Sequence, residues 1–409
     1  MLYVRAATCI HCGAEYPPRP DLTVCAQCGG VLEILYDYPR IAAALNSAVL
    51  AERRETTMWR YRELLPIEAD SDTAGLRVGW SPLYPAPRLA ATLGLAELYI
   101  KDDGLNPTAS LKDRASALAV IKAGEAGADT VACSSTGNAA SSLAGSAAAR
   151  GLRSYIFIPA RAPKGKVAQL MMFGANVISV QGNYEDAFRL SAEAIERWGW
   201  YNRNAAINPY LSDGKKTVSL EIAEQLGWQV PDYVAVSVGD GCTIAGVWKG
   251  FQDLYEIGLI RRLPRLISVQ ATGCCPINQA IEAGTEDLIP MAEDTLADSI
   301  AVGRPRNFHK AVRAVRASGG ITVNVSDQEI LSAMALLGKT CGVFGEPAGV
   351  TGAAGLIKAL AEKKIPAGAT AVSIVTGNGL KDIANAVNAA GEPLSLPPDI
   401  SQLSGIITK

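Results

Sequence analysis

The sequence predicts an α/β protein built on parallel sheet, with a four-cysteine ribbon ahead of it. Three observations predict this. From about Leu89 onward, short β-branched runs alternate with longer amphipathic stretches, the pattern of parallel strands flanked by helices. Before that region stand two similar pairs, Cys9-Ile10-His11-Cys12-Gly13 and Cys25-Ala26-Gln27-Cys28-Gly29. Of the 409 residues 49% are apolar and only 19% charged, enough to build cores for two or three domains.

The ribbon comes first in the chain. Each pair brings two thiolates onto one ion, and the glycine after it permits the tight backbone turn. Four sulfurs suit tetrahedral zinc, so Cys9, Cys12, Cys25 and Cys28 are expected to form a closed, structural site; a ribbon that keeps its cysteines without metal is the other reading. Strands are then expected at Leu98 to Lys101, Thr130 to Cys133, Ser154 to Ile158 and Val177 to Val180, and again at Tyr233 to Val238, Leu266 to Gln270, Ile321 to Val325 and Ala371 to Val375. Helices are expected at Ala139 to Arg150, Tyr184 to Trp198, Lys215 to Leu226, Ile244 to Ile257, Asp327 to Gly338 and Gly349 to Lys363. The run Met171-Met172-Phe173 reads as core, and Cys133, Cys242, Cys274, Cys275 and Cys341 as reduced thiols filling small apolar spaces.

Composition also excludes classes of function. With 38 basic against 40 acidic side chains and no long basic run, the chain lacks the footprint of a dedicated nucleic-acid binder. No apolar stretch approaches the roughly 20 residues a membrane helix needs, and the start lacks a secretory pattern, so a cytoplasmic, non-membrane protein is expected. Two histidines, His11 and His309, leave no room for a mechanism that needs several imidazoles.

Ligands of parallel α/β proteins collect where strands end and helices begin, because helix N-termini present unpaired N–H groups. Four such junctions here are chemically unusual. Asn106-Pro107-Thr108-Ala109-Ser110-Leu111-Lys112 places a lysine among small polar residues at a helix start, a candidate Schiff-base former. Ser134-Ser135-Thr136-Gly137-Asn138 offers hydroxyls, an amide and free N–H groups that suit a carboxylate and a phenolic oxygen. Gly239-Asp240-Gly241-Cys242-Thr243 lets backbone wrap a phosphate, with Asp240 an awkward neighbour unless its carboxylate points away. Thr376-Gly377-Asn378-Gly379 follows the last strand. Taken singly, each is also an ordinary capping loop.

Together and in this order, they resemble the fold-type II family of pyridoxal-phosphate enzymes, most closely its threonine synthase branch. The resemblance runs from about Trp80 to Asp382 and extends to the cysteine ribbon. It implies pyridoxal 5'-phosphate as cofactor, a small-molecule amino-acid substrate and a homodimer. Lys112 resembles the lysine that binds the cofactor aldehyde and then moves the proton at the substrate α-carbon. Asn138 resembles the partner of the ring hydroxyl, with Ser135, Thr136 and Gly137 beside it at the substrate carboxylate. Gly239, Asp240, Gly241, Cys242 and Thr243 match the loop around the cofactor phosphate, and Thr376 the hydroxyl facing the pyridine nitrogen. Pro163 to Lys166, Asp213 to Thr217 and Glu346 to Ala348 are further matches, and Ser299 to Pro305 resembles the segment near the cofactor ring. His309 follows that segment, and is read either as approaching the cofactor or as a surface histidine.

The resemblance also implies domains: a ribbon over 1–40, a large cofactor-anchoring domain from 41–126 and 232–409, and a small closing domain over 127–231. The nearest family reaction converts O-phosphohomoserine to threonine and phosphate. Yet the chain reads Ala205-Ala206-Ile207-Asn208-Pro209-Tyr210-Leu211 where that branch places polar residues, Ala139 where a threonine is usual, and Leu111 where a phenylalanine is usual. Arg161, Lys164, Lys166 and Lys215 are candidates to replace the missing donors. A second reading is therefore dehydratase-type β-elimination or β-replacement on an unphosphorylated amino acid. A third, of another class, is a catalytically silent scaffold carrying the ribbon as a binding module.

Overall fold

A computed structural model describes residues 1–160, 164–403 and 406. The chain begins with β1 (Val4–Cys9), β2 (Glu15–Tyr16) and β3 (Leu32–Tyr36), an antiparallel sheet of order β2-β1-β3. Then come β4 (Leu83–Pro85), β5 (Glu97–Asp102), β6 (Thr130–Ser134), β7 (Arg153–Pro159), β8 (Asn176–Val180) and β9 (Tyr201–Asn202). The last strands are β10 (Tyr233–Ser237), β11 (Arg265–Ala271), β12 (Ile321–Val325) and β13 (Thr370–Val375). All eight strands expected from the sequence are present within two residues. The short β2, β4 and β9 had no expectation, because two or three residues carry no periodicity, and neither did the ribbon strands β1 and β3.

Two sheets organise the α/β part. The larger has the order β12-β11-β10-β13-β5-β4, parallel except for the edge strand β4. The smaller has the order β8-β7-β6-β9 and is parallel throughout. The central strand Tyr-Val-Ala-Val-Ser of β10 is buried at every position, as expected of a strand covered by helices on both faces.

Local chemistry sets the helix ends. The helix Tyr184–Trp198 starts with a reciprocal Asn183–Asp186 capping box and stops at Gly199, in the left-handed region at φ 65. Ser326 and Glu329 cap the helix Asp327–Cys341 in the same way. The helix expected from Lys215 begins instead at Tyr210, whose amide donates to Asn208 Oδ1 at 3.0 Å. Its first turns, Ser212-Asp213-Gly214, are polar yet buried, so apolar periodicity misses them.

A polar core explains that burial. Tyr36 of β3 donates to Asp213 at 2.6 Å, and Tyr38 donates to Asp253 at 2.7 Å. Lys216 pairs with both carboxylates, at 2.9 and 2.5 Å. Further along the same helix, Glu221 meets Lys101 at 2.7 Å and also pairs with Arg114, which in turn holds Asp103 at 2.6 Å. The ribbon thus packs into the same core as the helices Lys112–Glu125, Tyr210–Gln225 and Cys242–Glu256.

One core expectation is corrected. Met171 and Met172 are 65% and 84% exposed, whereas Leu170 just before them is buried. The helix Lys164–Met172 turns one narrow face to the small sheet, and these two side chains fall on the other. No described helix is long and apolar enough to cross a membrane.

Candidate active site

Lys112 opens the helix Lys112–Glu125 at the end of a loop tied down from two sides. Leu111 N–H donates to the Thr376 carbonyl at 2.9 Å, and Asn378 N–H donates to the Ala109 carbonyl at 3.0 Å. Thr108 donates its N–H and its hydroxyl to Asp113 at 2.8 and 2.5 Å. Ala109 takes the left-handed conformation, φ 67, which a non-glycine residue keeps only where its surroundings enforce it. The loop from the large sheet's last strand therefore fixes where the lysine sits.

Around Lys112 lies a cleft with about 640 Å³ of atom-free space. Into it the fold brings Lys112, Asn138, Thr376 and the whole turn Gly239–Thr243, from four separate stretches of chain. Ser135, Thr136 and Gly137 do not line it; they are half-buried one to three residues before Asn138. Asn138 donates to Glu346 Oε1 at 2.6 Å, joining a helix beside the small sheet to the start of a helix beside the large one.

Electrostatics make the amine easier to deprotonate than an ordinary lysine. Burial pushes the Lys112 pKa down to about 8, and the nearby Lys215 and Arg203 cations push the same way, against Glu346. A lysine in that range supplies a nucleophile near neutral pH.

The turn after β10 is packed closely against the chain behind it, which requires glycine at two positions. A Cβ on Gly239 would stand 2.8 Å from Ile300 Cα, and one on Gly241 2.9 Å from the Asn307 carbonyl oxygen. Gly241 also sits at φ 88, where glycine is favoured. The helix Cys242–Glu256 starts there, so its unpaired first-turn N–H groups fall at the cleft. Asp240 is occupied: its carboxylate accepts from Arg306 N–H at 2.6 Å and from the Cys242 thiol at 3.2 Å. Cys242 lines the cleft instead of filling an apolar space, and burial raises its thiol to about 11. A glycine cradle, a helix N-terminus and a low-pKa lysine fit a phosphate-bearing aldehyde.

Sequence reasoning gave no role to Arg203 or Ser237, which also line the cleft, as does the candidate Lys215. The one available signal for Arg203 was a lone charge beside the small residues Asn204-Ala205-Ala206. Ala139 and Ala205 line the cleft, Ala206 does not, and Leu211 packs in the small sheet's core. Arg161 and Pro163 lie outside the described residues, as do the side chains of Lys164 and Lys166. His309 is away from the cleft: its ring meets His11 of the ribbon edge-on at 4.5 Å, and it lies 3.6 Å from Glu286.

The ribbon cysteines converge as their spacing implies. Their four Sγ atoms all lie within 4.8 Å of one another, with Cys9–Cys28 at 3.5 Å and Cys12–Cys25 at 3.6 Å. Tetrahedral zinc with Zn–S near 2.3 Å needs sulfurs about 3.8 Å apart. The Tyr16 hydroxyl, 3.0 Å from Cys25 Sγ, lowers that thiol to about 6.

A buried lysine and a glycine turn at a helix start line one cleft in a fold of two largely parallel sheets, as in a fold-type II pyridoxal-phosphate enzyme. Comparison with known proteins agrees: the chain belongs to the pyridoxal-phosphate dependent enzyme family, which matches residues 75–377. It is a lyase of that family, with the same cofactor. Among its relatives is a threonine synthase from Methanocaldococcus jannaschii, 40% identical over 98% of each chain. Another, from Methanosarcina acetivorans, is 38% identical over 97% of this chain and 96% of that one. In fold, the chain is similar to a processed threonine deaminase isoform from Solanum lycopersicum (TM-score 0.65, 23% identity, 76% of this chain and 83% of that one). It is likewise similar to diaminopropionate ammonia lyase from Escherichia coli (TM-score 0.67, 18% identity, 85% and 92%).

Proposed function

We propose that this enzyme is a threonine synthase, releasing phosphate from O-phosphohomoserine and adding water at the β-carbon. The observation that carries the reading is end-to-end similarity to proteins of that name, 40% identity over 98% of both chains, around a cleft holding Lys112. Bound pyridoxal phosphate supplies the electron sink. The chain's own groups do the rest. Lys112 would hold the cofactor aldehyde and, as a free amine, would move protons at the substrate carbons. Gly239, Asp240, Gly241, Cys242 and Thr243 hold the cofactor phosphate with backbone donors. Asn138 would donate to the ring hydroxyl with its second amide hydrogen while keeping its bond to Glu346. Thr376 offers the ring nitrogen a hydroxyl and no carboxylate, which favours elimination and replacement over transamination. Closure of the small-sheet body, residues 127–231, over the large domain of 41–126 and 232–409 brings Ser135, Thr136 and Gly137 to the substrate carboxylate and excludes water.

The ribbon over 1–40 is proposed to hold one structural zinc on Cys9, Cys12, Cys25 and Cys28, supported by their mutual distances. A homodimer is part of the same proposal by family resemblance. So is a cytoplasmic location, supported by nine free cysteines.

The small walls at Ala139 and Ala205 favour a second reading, β-elimination from serine or threonine. One experiment separates the two. Holoenzyme is incubated with O-phosphohomoserine, and separately with serine and threonine, while phosphate, threonine and oxoacid are measured. Phosphate with threonine supports the synthase; oxoacid alone moves the assignment to a dehydratase. A silent scaffold predicts no visible cofactor absorbance and an unchanged spectrum in Lys112→Ala.

A further inference from the structure

A phosphorylated substrate needs a second anion site, and the residues expected to supply it are alanines here. Ala139 and Ala205 line the cleft with no donor to offer. Arg203 stands two residues before Ala205, on the segment that leaves β9. Only 2% of it is exposed, and it lines the same cleft.

Its anchoring is one-sided. The Arg203 backbone N–H donates to the Ala132 carbonyl of β6 at 3.0 Å. Its Nε donates to Ser116 Oγ at 3.1 Å, and that hydroxyl meets Ser142 Oγ at 2.7 Å. Nη2, by contrast, is buried with no hydrogen-bond partner. No carboxylate among the described residues pairs with this guanidinium. An arginine so deeply buried ordinarily carries a counter-ion. Burial lowers its pKa, as expected where nothing repays the lost hydration.

A second cation stands nearby. Lys215 is 3% exposed, lines the cleft, and has no ion pair or hydrogen bond among the described residues. The two acidic groups of the cleft are engaged elsewhere, Asp240 by Arg306 N–H and Glu346 by Asn138. Backbone donors of the glycine turn are available to the cofactor phosphate. That leaves the guanidinium and the ammonium for another anion, one carried by the substrate.

We infer that Arg203, helped by Lys215, is the specificity-determining residue of this enzyme: it grips the phosphate ester on the substrate side chain, in place of the absent hydroxyl and amide donors. The inference rests on the proposed reaction for the identity of the substrate. The anion site itself stands on the geometry alone. Held through Nε by Ser116, the guanidinium stands at the cleft wall without a counter-ion, where a tetrahedral oxyanion would pair with it and be held as it leaves.

The test uses holoenzyme and two variants, Arg203→Met and Arg203→Lys. Replacing an unpaired buried cation by methionine removes a charge the fold does not need, so Arg203→Met is expected to fold and to load cofactor with unchanged visible absorbance. Its kcat/KM for O-phosphohomoserine is expected to fall roughly 10- to 100-fold, mostly through KM, with partial recovery in Arg203→Lys. Inorganic phosphate is expected to compete with substrate in the parent enzyme and to lose that effect in Arg203→Met. Two results would overturn the inference: an unchanged KM and phosphate inhibition in Arg203→Met, or weakened cofactor loading, which would assign the arginine to the cofactor phosphate. If the parent enzyme ignores O-phosphohomoserine, the proposed reaction fails by itself. The anion site is then judged by whether inorganic phosphate perturbs the bound-cofactor spectrum in the parent and not in Arg203→Met.

Discussion

Cofactor capture is expected to depend on pH through Lys112, and the structure sets both the midpoint and the size of the effect. An ordinary lysine titrates at 10.5, and burial with the neighbouring cations brings this one to about 8. The difference corresponds to about 3 kcal/mol against the charged form. At pH 7 the neutral fraction is then about 9%, against about 0.03% for an ordinary lysine, a gain of roughly 300-fold in reactive amine. The assay is rapid mixing of apoenzyme with pyridoxal phosphate across pH 6 to 10, following the visible absorbance of the lysine-bound cofactor. The rate is expected to rise about tenfold per pH unit and to level off just above pH 8. Because burial is the leading cause and Lys215 the next, Lys215→Met is expected to move the break upward only in part. The same shift has a thermodynamic sign. Between about 8 and 10.5 the unfolded chain binds more protons at this residue, so apoenzyme stability gains with rising pH there. A capture rate that climbs without a break to pH 10 would refute the reasoning.

Three further outcomes follow from the same geometry. Gly241→Ala places a Cβ against the Asn307 carbonyl at a left-handed position, so cofactor affinity is expected to drop at least tenfold in an absorbance titration while folding survives. Glu221→Gln leaves Arg114 and Lys101 buried with too little counter-charge, and urea unfolding is expected to show a loss of roughly 3 kcal/mol. Glu221 is held at about 2 in the fold, below its ordinary 4.5, so its contribution is complete above pH 4.5 and disappears as pH falls through about 2. Elemental analysis is expected to find about one zinc per chain, with chelation lowering the melting temperature and Cys25→Ser abolishing the binding.

How much of this was legible in the sequence depended on the kind of signal. The eight α/β strands declare themselves as short apolar, often β-branched runs, as in the fully buried Val234-Ala235-Val236 and the largely exposed Val177-Ile178. The turn Gly239–Thr243 declares itself through its glycines, one of them at a positive φ. The start of the helix at Tyr210 stayed hidden, because Asp213, Lys216 and Glu221 are buried through pairing with residues 37 to 177 positions away, and no local pattern encodes a distant partner. Arg203 stayed hidden for the same reason. It is buried without a carboxylate partner beside a cleft whose other walls come from distant elements. Met171 and Met172 mislead in the opposite direction, since hydrophobicity alone does not say which side of a short helix faces the sheet.

The helices that carry the site meet at glycines, and their closeness is testable. A Cβ on Gly214 would lie 2.4 Å from the Arg114 carbonyl oxygen, and one on Gly250 2.4 Å from that of Lys216. These contacts draw the helices Lys112–Glu125, Tyr210–Gln225 and Cys242–Glu256 together, and the buried pairs Arg114–Glu221 and Lys216–Asp253, the latter at 2.5 Å, fix their register. The first helix begins at Lys112, the second carries Lys215, and the third begins at the phosphate turn, so their spacing is the spacing of the site. In Gly250→Ala an ordinary contact of 3.4 Å must open from 2.4 Å, a shift of roughly 1 Å between the second helix and the third. Displacements of that size cost about 10²-fold in rate when they fall on reacting groups. Gly250→Ala is therefore expected to lose cofactor affinity and activity together, although it lies well outside the cleft. Gly124→Ala is the control: it sits in the first helix, meets nothing within 4 Å, and is expected to stabilise the fold by up to about 1 kcal/mol with activity intact. Equal activity in the two variants would mean that the helices do not transmit their spacing to the site.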